Sequence, residues 1–592
     1  MLRSLAVVLA SLLPVPLARA QAQLEWLSTR DWPSNYTDFG RWCAVDASGA
    51  TYVAGQVYVQ QQGVPPPPPT ADFGVTKFNP DGSHAWSTQI DPLGGQDFAY
   101  DLGVAPSGDL YVVGYSSSTG GGFPTLVKLN SSGAHQWTAV HALPGFARAL
   151  AFDSSGQPVV VGHVYEAATN NDVWIAKYTP AGGLVWERRI DGGSSSADNG
   201  YGVHVLANDE VLVACGLAPS GDSDFGVVRL AANGSTLWSL ALDGGSGAND
   251  AATHVVVSGA YVVAGGYRTA ANEDWMLAEF ALSTGAVAGV QHHGGAGGAT
   301  ERVRGLGVDS SGAVWVVGSE SSASAGLDFG VRRYSNTGAL LSAATWNGAA
   351  ANGDDSPFKL LLGGEDQAWV VGYSYQSTGS PPSIDLQLVQ FDRTGAFNWA
   401  RNFSTPGAAD DRAWDAELAP GNRLSISGYT NGAGTGNYDY LAASIDLSEA
   451  PHGYCTSKLN SLGCAPKMSF SGSPSVSQPG GFVVSCSLVR NEKSGLVFYS
   501  TLGPASAPFQ GGTFCVQPPT RRTPIALSGG SAAPANDCSG AFAIDMNAYA
   551  ASGVDPALAT AGTSVYCQTW SRDPGASFNT SLSNGLAYDT LP

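Results

Sequence analysis

Short apolar segments separated by Gly, Asp and Asn turns run along residues 24–447. Four kinds recur in a fixed order, typified by YDLGVAPSG, LYVVG, DFGVTKF and AWSTQI. Each segment has the length and flanking turn residues of one strand, so each unit is predicted to hold four strands. The third segment is apolar on both faces, with Phe73 and Val75 on one and Phe78 on the other. That pattern is typical of a strand covered by sheets on both sides.

The four-segment unit occurs eight times. The Gly that ends the second segment recurs every 48 to 59 residues, as Gly55, Gly114, Gly162, Gly216, Gly265, Gly318, Gly372 and Gly428. The third segment opens on an Asp in seven units, at Asp72, Asp172, Asp224, Asp274, Asp328, Asp385 and Asp439. We interpret this Asp as a cap that binds backbone N–H groups of the incoming loop. Four-stranded units stacked radially about an axis form a β-propeller.

The ends of the repeat predict how the ring closes. The last unit has no fourth segment of its own, whereas LEWLS, near Leu24, is a fourth segment that precedes every other element. We therefore predict an all-β chain with an eight-bladed β-propeller closed by the N-terminal strand, which leaves no open sheet edge. Outer-strand tryptophans are expected to pack at the rim between blades rather than to line a sugar site: Trp26, Trp86, Trp137, Trp186, Trp238 and Trp399.

Two stretches also resemble a known family of repeats. VDSSGAVWVVG (Val308–Gly318) and DFGVRRYSNTGALL (Asp328–Leu341) are similar to the bacterial β-propeller repeats called SBBP. The resemblance covers roughly residues 24–447. It implies the propeller fold and says almost nothing about activity.

Charge and the N-terminus restrict location and partners. The formal net charge is −20, which argues against nucleic acid and anionic membrane as partners. The first 20 residues, MLRSLAVVLASLLPVPLARA, have the basic start, apolar run and small-residue site of a secretory signal peptide. No later segment has 18 consecutive apolar residues, so no membrane span is predicted. We expect a secreted or cell-surface associated monomer.

Cysteine density rises after the repeat ends. Six of the eight Cys lie beyond Tyr454, at Cys455, Cys464, Cys486, Cys515, Cys538 and Cys567. An even number in an exported domain implies disulfides, whose connectivity the sequence leaves open. Strand-like runs such as GFVVSCSLV and SVYCQTW predict a β-sandwich.

The predicted organisation is a signal peptide at 1–20, the propeller at 21–447, a linker at 448–453 and a C-terminal β-sandwich domain at 454–592.

The C-terminal segment resembles a domain that recurs on exported bacterial proteins of varied N-terminal architecture. The resemblance rests on GYCTSKLNSLGC, PFQGGTFCV, NDCSG and WSRDPG. Members tend to lack equivalents of two of the cysteines, which implies a Cys486–Cys567 disulfide. We further expect Cys455–Cys464 and Cys515–Cys538 disulfides, with Cys43 and Cys215 as thiols. A module shared by unrelated partners more often serves location or attachment than catalysis.

One repeated constellation offers a site. An acid stands eleven positions before the turn that follows most inner strands, at Asp38, Asp97, Asp198, Glu301, Asp355 and Asp411, and with a two-residue deletion at Asp250. Three positions further on stand Arg41, Tyr100, Arg148, Tyr201, Arg304, Phe358 and Trp414, among others. We predict that both sets meet at the mouth of the central channel, as a site for a cation or a sugar. The alternative, which repetition in almost every unit favours, is that each acid only holds its own loop.

Common catalytic signatures are absent from the sequence, including HExxH, GxSxG, P-loop and CxxC motifs. We assign no catalytic residue, no resident cofactor and no metal site, and calcium at the acid ring is the one cation considered. The sequence favours a non-catalytic binding or scaffold protein that recognises a protein or glycan with a propeller face. The alternative is an extracellular enzyme built on the ring, either a quinoprotein-like oxidoreductase or a polysaccharide-degrading enzyme.

Overall fold

The computed structural model describes residues 22–590 except 33–35, 60–68, 119–120, 246, 323–325, 349, 351–352, 364–365, 378–382, 406, 408–409, 433–436, 448–451, 473 and 561–562. The predicted signal peptide lies outside the described residues, as does most of the predicted linker. The described chain divides into two compact units, one spanning Gln23–Asp446 and the other beginning at Leu447.

The first unit is all-β and contains eight four-stranded antiparallel sheets, consistent with the predicted eight-bladed propeller. The inner strands are Phe39–Val45, Asp97–Val104, Gly145–Phe152, Asn199–Val205, Ala251–Ser258, Val303–Val308, Ser356–Leu362 and Asp411–Ala419. The second strands are Thr51–Val59, Leu110–Ser118, Pro158–Glu166, Val211–Leu217, Tyr261–Thr269, Val314–Ser321, Ala368–Ser377 and Arg423–Thr430. The third strands are Thr70–Phe78, Gly121–Leu129, Asn170–Tyr178, Asp224–Leu230, Glu273–Ala281, Leu327–Tyr334, Ser383–Phe391 and Asp439–Asp446. The outer strands are His84–Ile90, His135–Val140, Leu184–Ile190, Thr236–Leu242, Val287–His293, Leu340–Trp346, Phe397–Phe403 and, for the eighth sheet, Gln23–Arg30.

The eighth sheet joins the two ends of this unit. Gln23–Arg30 pairs antiparallel with Asp439–Asp446, which is the third strand of that sheet. Each inner strand contacts the inner strand of the next sheet, and the inner strand of the eighth sheet contacts that of the first. Each sheet is itself open, with four strands and no pairing between its two edges.

The hydrophobic core lies between the faces of neighbouring sheets. Phe73 and Val75 pack with residues of the second sheet, such as Leu110 and Val112. Phe78, on the same strand, packs in the opposite direction with Tyr440 of the eighth sheet. The two-faced apolar pattern predicted for the third strand is therefore confirmed.

In six of the eight sheets the repeated Gly of the second strand makes room for the inner strand: Gly55, Gly114, Gly162, Gly318, Gly372 and Gly428. Each inner strand shifts register near its start, as between Gly40 and Trp42. At that point the carbonyl oxygen of Phe39 would lie only 1.8 Å from a Cβ placed on Gly55. A side chain there would push the two strands apart, so the glycine is a packing requirement.

Five outer-strand tryptophans each bond to a turn of the following sheet. The indole N–H of Trp26 donates to the carbonyl of Pro80 at 2.9 Å, in a turn of the first sheet, and its ring packs against Gly82. Trp86, Trp137, Trp186 and Trp238 bond in the same way to the turn of the following sheet. For these five, the predicted rim packing between blades is confirmed.

The second unit has two sheets around one core. The larger sheet contains His452–Tyr454, Ser494–Ser500, Arg521–Arg522, Ala526–Leu527, Ser564–Arg572 and Thr580–Asp589, and the smaller contains Lys467–Ser471, Val483–Val489 and Gly540–Asp545. The remaining elements are the hairpin of Pro504–Phe509 and Gly512–Val516, the helix Met546–Ala551, and 3₁₀ turns at Pro556–Ala559 and Ser577–Asn579. Both sheets contribute to the core, through Val484 and Phe542 from one and Val565 and Leu586 from the other. Among the described residues, no helix is long and apolar enough to cross a membrane.

The predicted disulfide pairing is wrong. The structure joins Cys455 to Cys515 and Cys464 to Cys538, and leaves Cys486 and Cys567 as buried thiols in the core. Asn460 explains part of the difference, because its side chain accepts hydrogen bonds from the backbone of Leu462 and Cys464 and forms a tight turn. That turn lies beside Cys538, whose Sγ is 3.5 Å from Asn460 Nδ2. Cys43 and Cys215 are buried thiols, as expected.

Candidate functional site

The acids of the predicted ring are buried at the junctions between neighbouring sheets. Asp198 shows the arrangement. Its Oδ2 accepts a hydrogen bond from the N–H of Gly192 at 2.6 Å, in the loop that leaves the third sheet, and its Oδ1 accepts from Ala218 in the fourth sheet at 2.5 Å. Equivalent pairs of bonds are formed by Asp250, Glu301 and Asp355.

These acids do not line an open channel mouth, so that part of the sequence interpretation is wrong. All seven have exposed fractions of 0 to 1 %: Asp38, Asp97, Asp198, Asp250, Glu301, Asp355 and Asp411. A buried carboxylate needs hydrogen-bond donors, and the loops at the junction supply free backbone N–H groups. Burial, together with the charges of neighbouring aspartates, raises the pKa of Asp38 and of Asp97 to about 7.

The Asp of the third strand does not cap a loop in the way we expected. Asp72 accepts from the side-chain amide of Gln89 at 2.5 Å, and Asp172 accepts from the hydroxyl of Thr169 at 3.1 Å. Neither accepts a bond from a backbone N–H of the described residues. Their carboxylates instead lie beside acids of the adjoining loop and of the next sheet.

The arginines and aromatic residues of the predicted set form a half-buried belt on the inner strands. The guanidinium of Arg41 lies 4.8 Å from the ring centroid of Trp414, whose ring is 4.3 Å from that of Phe358. Arg304 lies over Phe358 at 5.3 Å. These four residues come from four successive sheets, the first, eighth, seventh and sixth.

A second arc of the belt has the same chemistry. Arg148 lies between two tyrosine rings, at 5.5 Å from Tyr100 and 5.6 Å from Tyr201. These residues belong to the second, third and fourth sheets. Seven residues predicted from their spacing are thus brought together in two arcs, in which every arginine lies over an aromatic ring.

The belt arginines have no carboxylate partner in the described part of the chain. Arg41, Arg148 and Arg304 form no ion pair there, and the buried Nε atoms of Arg41 and Arg148 have no hydrogen-bond acceptor. Cation–π contacts hold the guanidinium groups over the rings but satisfy none of their N–H donors. The belt therefore presents donors and flat apolar faces together.

A charged layer adjoins the belt, and sequence reasoning missed it. Each of its residues directly follows a belt position, as Asp101 follows Tyr100, Lys359 follows Phe358 and Asp415 follows Trp414. Lys359 Nζ pairs with Asp415 Oδ1 at 2.8 Å. The available signal was the loss of repeat symmetry, because most other units carry a small or neutral residue at this position.

Burial, together with the charge of Asp415, raises the pKa of Asp101 to about 7. An unfolded Asp side chain titrates near pH 4, whereas Asp101 in the folded protein titrates near pH 7. The stability that the wild-type Asp101 contributes is therefore full below pH 4 and is lost as the pH rises through about 7, where the buried carboxyl must ionise. Asn resembles the protonated acid and does not titrate. We expect Asp101→Asn to be more stable than wild type by about 1–2 kcal/mol between pH 5 and pH 8; this figure allows for solvent screening of the carboxyl group.

Thermal melts of both proteins across that pH range measure this effect. Asp81→Asn is the control, because Asp81 is fully exposed and bonds only to its own turn. A difference between Asp101→Asn and wild type that does not change with pH would contradict the assignment.

Eight four-stranded sheets whose inner strands contact one another in sequence are typical of β-propeller proteins. No family model matches the chain, and no curated protein matches it. Among solved structures it is similar to BamB from Moraxella catarrhalis, at 14 % identity over 72 % of this chain and 99 % of that one, with a TM-score of 0.40.

Two further structures show similarity of the same order. Sqt1 from Chaetomium thermophilum is 11 % identical over 70 % of this chain and 97 % of its own, with a TM-score of 0.44. A europium-containing methanol dehydrogenase is 8 % identical over 72 % of this chain and 93 % of its own, also with a TM-score of 0.44. Such similarities concern the fold alone and assign no function. The SBBP resemblance stays a prediction.

Proposed function

We propose that this protein is an exported, non-catalytic binding or scaffold protein whose propeller recognises its ligand with the arginine–aromatic belt. The observation that carries the proposal is that Arg41, Arg148 and Arg304 lie over aromatic rings without a carboxylate partner in the described residues. Unpaired guanidinium donors favour a ligand that supplies acceptors.

A glycan with acidic groups suits the belt best. Its carboxylate or sulfate groups would accept from the guanidinium N–H donors, and the apolar faces of its sugar rings would pack on Trp414, Phe358 and Tyr100. The large net negative charge of the chain, −20, disfavours the approach of acidic ligands elsewhere on the surface.

A glycan array probed with the purified protein tests the proposal, with two belt variants and one matched control. We expect Trp414→Ala and Arg148→Ala each to weaken binding at least tenfold. The first removes an aromatic face and the cation–π pair with Arg41, and the second removes the guanidinium donors that lie between Tyr100 and Tyr201. Leu237→Ala, an exposed substitution on an outer strand, should bind like wild type. Glycan binding that survives both belt variants, or no binding to any acidic glycan, would count against the proposal.

We also propose that Gln23–Arg30 closes the ring as the outer strand of the eighth sheet. The pairing with Asp439–Asp446 and the Trp26 bond to the first sheet support this role. Export fits the second unit, since disulfides persist in oxidising compartments.

A polysaccharide-degrading enzyme is the second candidate function. The observation in its favour is that two carboxyl groups have pKa values raised to about 7, chiefly by desolvation: Asp101 of the charged layer, and Glu417, whose pKa also responds to the charges of Lys359 and Asp415 in that layer. Carboxyls that titrate near neutral pH are typical of general acids and bases. Reducing-end release from a bound glycan, lost in Glu417→Gln, would favour this function over simple binding.

A further inference from the structure

Four junctions between sheets each bring three aspartates together. One Asp opens a third strand, one follows the outer strand of the same sheet, and one opens the inner strand of the next sheet. The four triads are Asp31, Asp38 and Asp439; Asp72, Asp91 and Asp97; Asp172, Asp191 and Asp198; and Asp224, Asp243 and Asp250. The first triad lies where the eighth sheet meets the first.

The triads have the dimensions of a cation site. In each, one oxygen from every carboxylate lies within 4.8 Å of the other two. Calcium binds oxygen ligands at about 2.3–2.6 Å, so two ligands of one ion are separated by up to about 5 Å. The ligand atoms of each triad are therefore close enough to share one ion.

Buried oxygens without partners provide a second, independent observation. Every triad contains at least one buried carboxylate oxygen that has no hydrogen-bond donor among the described residues. They are Oδ2 of Asp38, Oδ1 of Asp72, Oδ2 of Asp97, Oδ1 of Asp172 and Oδ1 of Asp224. The exposed fractions of these side chains are 0 to 5 %. Burying a carboxylate oxygen without a partner is costly, and a bound cation would remove that cost.

The sequence explains why Oδ2 of Asp97 has no hydrogen-bond donor among the described residues. In the two triads that follow along the chain, a Gly after the loop Asp donates its N–H to the acid of the next sheet, as Gly192 does to Asp198. Pro92 stands at this position in the Asp97 triad. Proline has no N–H to donate.

The negative charge of the triads is not balanced by the protein. None of the twelve aspartates forms an ion pair within the described part of the chain. At the junction of the fifth and sixth sheets, Gly294 replaces the loop Asp, and Arg268 pairs with Asp274 at 3.1 Å. At the junction of the second and third sheets, all three acids are replaced, by Phe123, Ala142 and Gly145.

We propose that the four aspartate triads are calcium sites, and that each ion joins two neighbouring sheets. Three carboxylates from separate segments suit calcium, which takes six to eight oxygens in flexible geometry, better than magnesium, which usually keeps several waters and binds one or two carboxylates. One aspartate of each triad is partly or largely exposed, so the ion has a path from solvent. This inference is independent of the ligand proposed for the belt.

Calcium titration of chelator-treated full-length protein by calorimetry tests the proposal. We expect about four ions per chain and a melting temperature that rises with calcium. Asp91→Asn, Asp191→Asn and Asp243→Asn change exposed loop residues whose turn-forming Oδ1 is retained by Asn. Combined, they should lower the stoichiometry from four to one and remove most of the thermal shift.

A gain-of-site variant makes the test sharper. Asn347 directly follows the outer strand of the sixth sheet, which is the position of the loop Asp in the triads, and Asp328 and Asp355 hold the other two triad positions at this junction. Burial and, to a smaller extent, the charge of Asp355 raise the pKa of Asp328, so these two carboxylates interact. We expect Asn347→Asp to bind about five ions, and Asp81→Asn, an exposed acid outside the triads, to bind four. The proposal is overturned if calcium does not bind at millimolar concentration, if the triple variant keeps the wild-type stoichiometry, or if magnesium binds equally well.

Discussion

Removal of residues 23–30 should destabilise the whole propeller and not only its eighth sheet. The deletion exposes one edge of Asp439–Asp446 and removes the Trp26 bond to Pro80. It also opens the cluster in which Trp26 packs beside Phe78 and Tyr440, between the eighth and first sheets. Loss of a large packed aromatic side chain alone costs about 3 kcal/mol, so we expect the melting temperature to fall by at least about 5 °C.

A synthetic peptide with the sequence QLEWLSTR should restore the stability of the truncated protein in trans. The matched control is the same peptide with Trp26→Ala, which keeps the backbone pairing but loses the contact with the first sheet. Calorimetry of the truncated protein with and without each peptide gives the result. An unchanged melting temperature after the deletion would show that this strand does not close the ring.

The repeated parts of the fold could be predicted because they depend on local patterns. The third strand has apolar residues on both faces, and the second strand ends in a Gly. We infer from this pattern that sheets pack on both sides of the third strand. Residues such as Phe73, Phe78 and Gly55 lie where their pattern indicated. The belt could be predicted for the same reason, since Arg148 and Tyr100 follow a fixed distance from a turn.

The triads could not be predicted because their members come from three separate series in the sequence. Asp72 and Asp97 each belong to a repeated position, and each series by itself is typical of loop capping. Asp91 follows an outer strand in only some units. Only the packing of one sheet against the next brings these carboxylates within reach of one ion.

The observed disulfides differ from the predicted pairing for a related reason. Their pairing depends on the order of strands in the sheets, which cysteine spacing does not encode.

Loss of the Cys464–Cys538 disulfide should be the largest single change in the second unit. The bond closes a segment of 74 residues, and a loop of that length is expected to contribute about 4 kcal/mol through the lost entropy of the unfolded chain. Domains are commonly stable by about 5–15 kcal/mol, so much of the margin would disappear. Cys464→Ser with Cys538→Ser isolates this effect, because both side chains are only half-buried and Ser leaves a small cavity.

Urea unfolding of this double variant and wild type, with and without reductant, measures the effect. The two proteins should differ by about 4 kcal/mol when oxidised. They should converge when reductant opens both disulfides of the wild type and the Cys455–Cys515 bond of the variant. The buried thiols Cys486 and Cys567 should stay unreactive toward alkylating agents until the unit unfolds, because burial raises the pKa of both groups. Mass mapping of the non-reduced protein must then find a peptide that links Cys464 to Cys538. A peptide that links Cys455 to Cys464 would refute the observed connectivity and restore the pairing expected from the sequence.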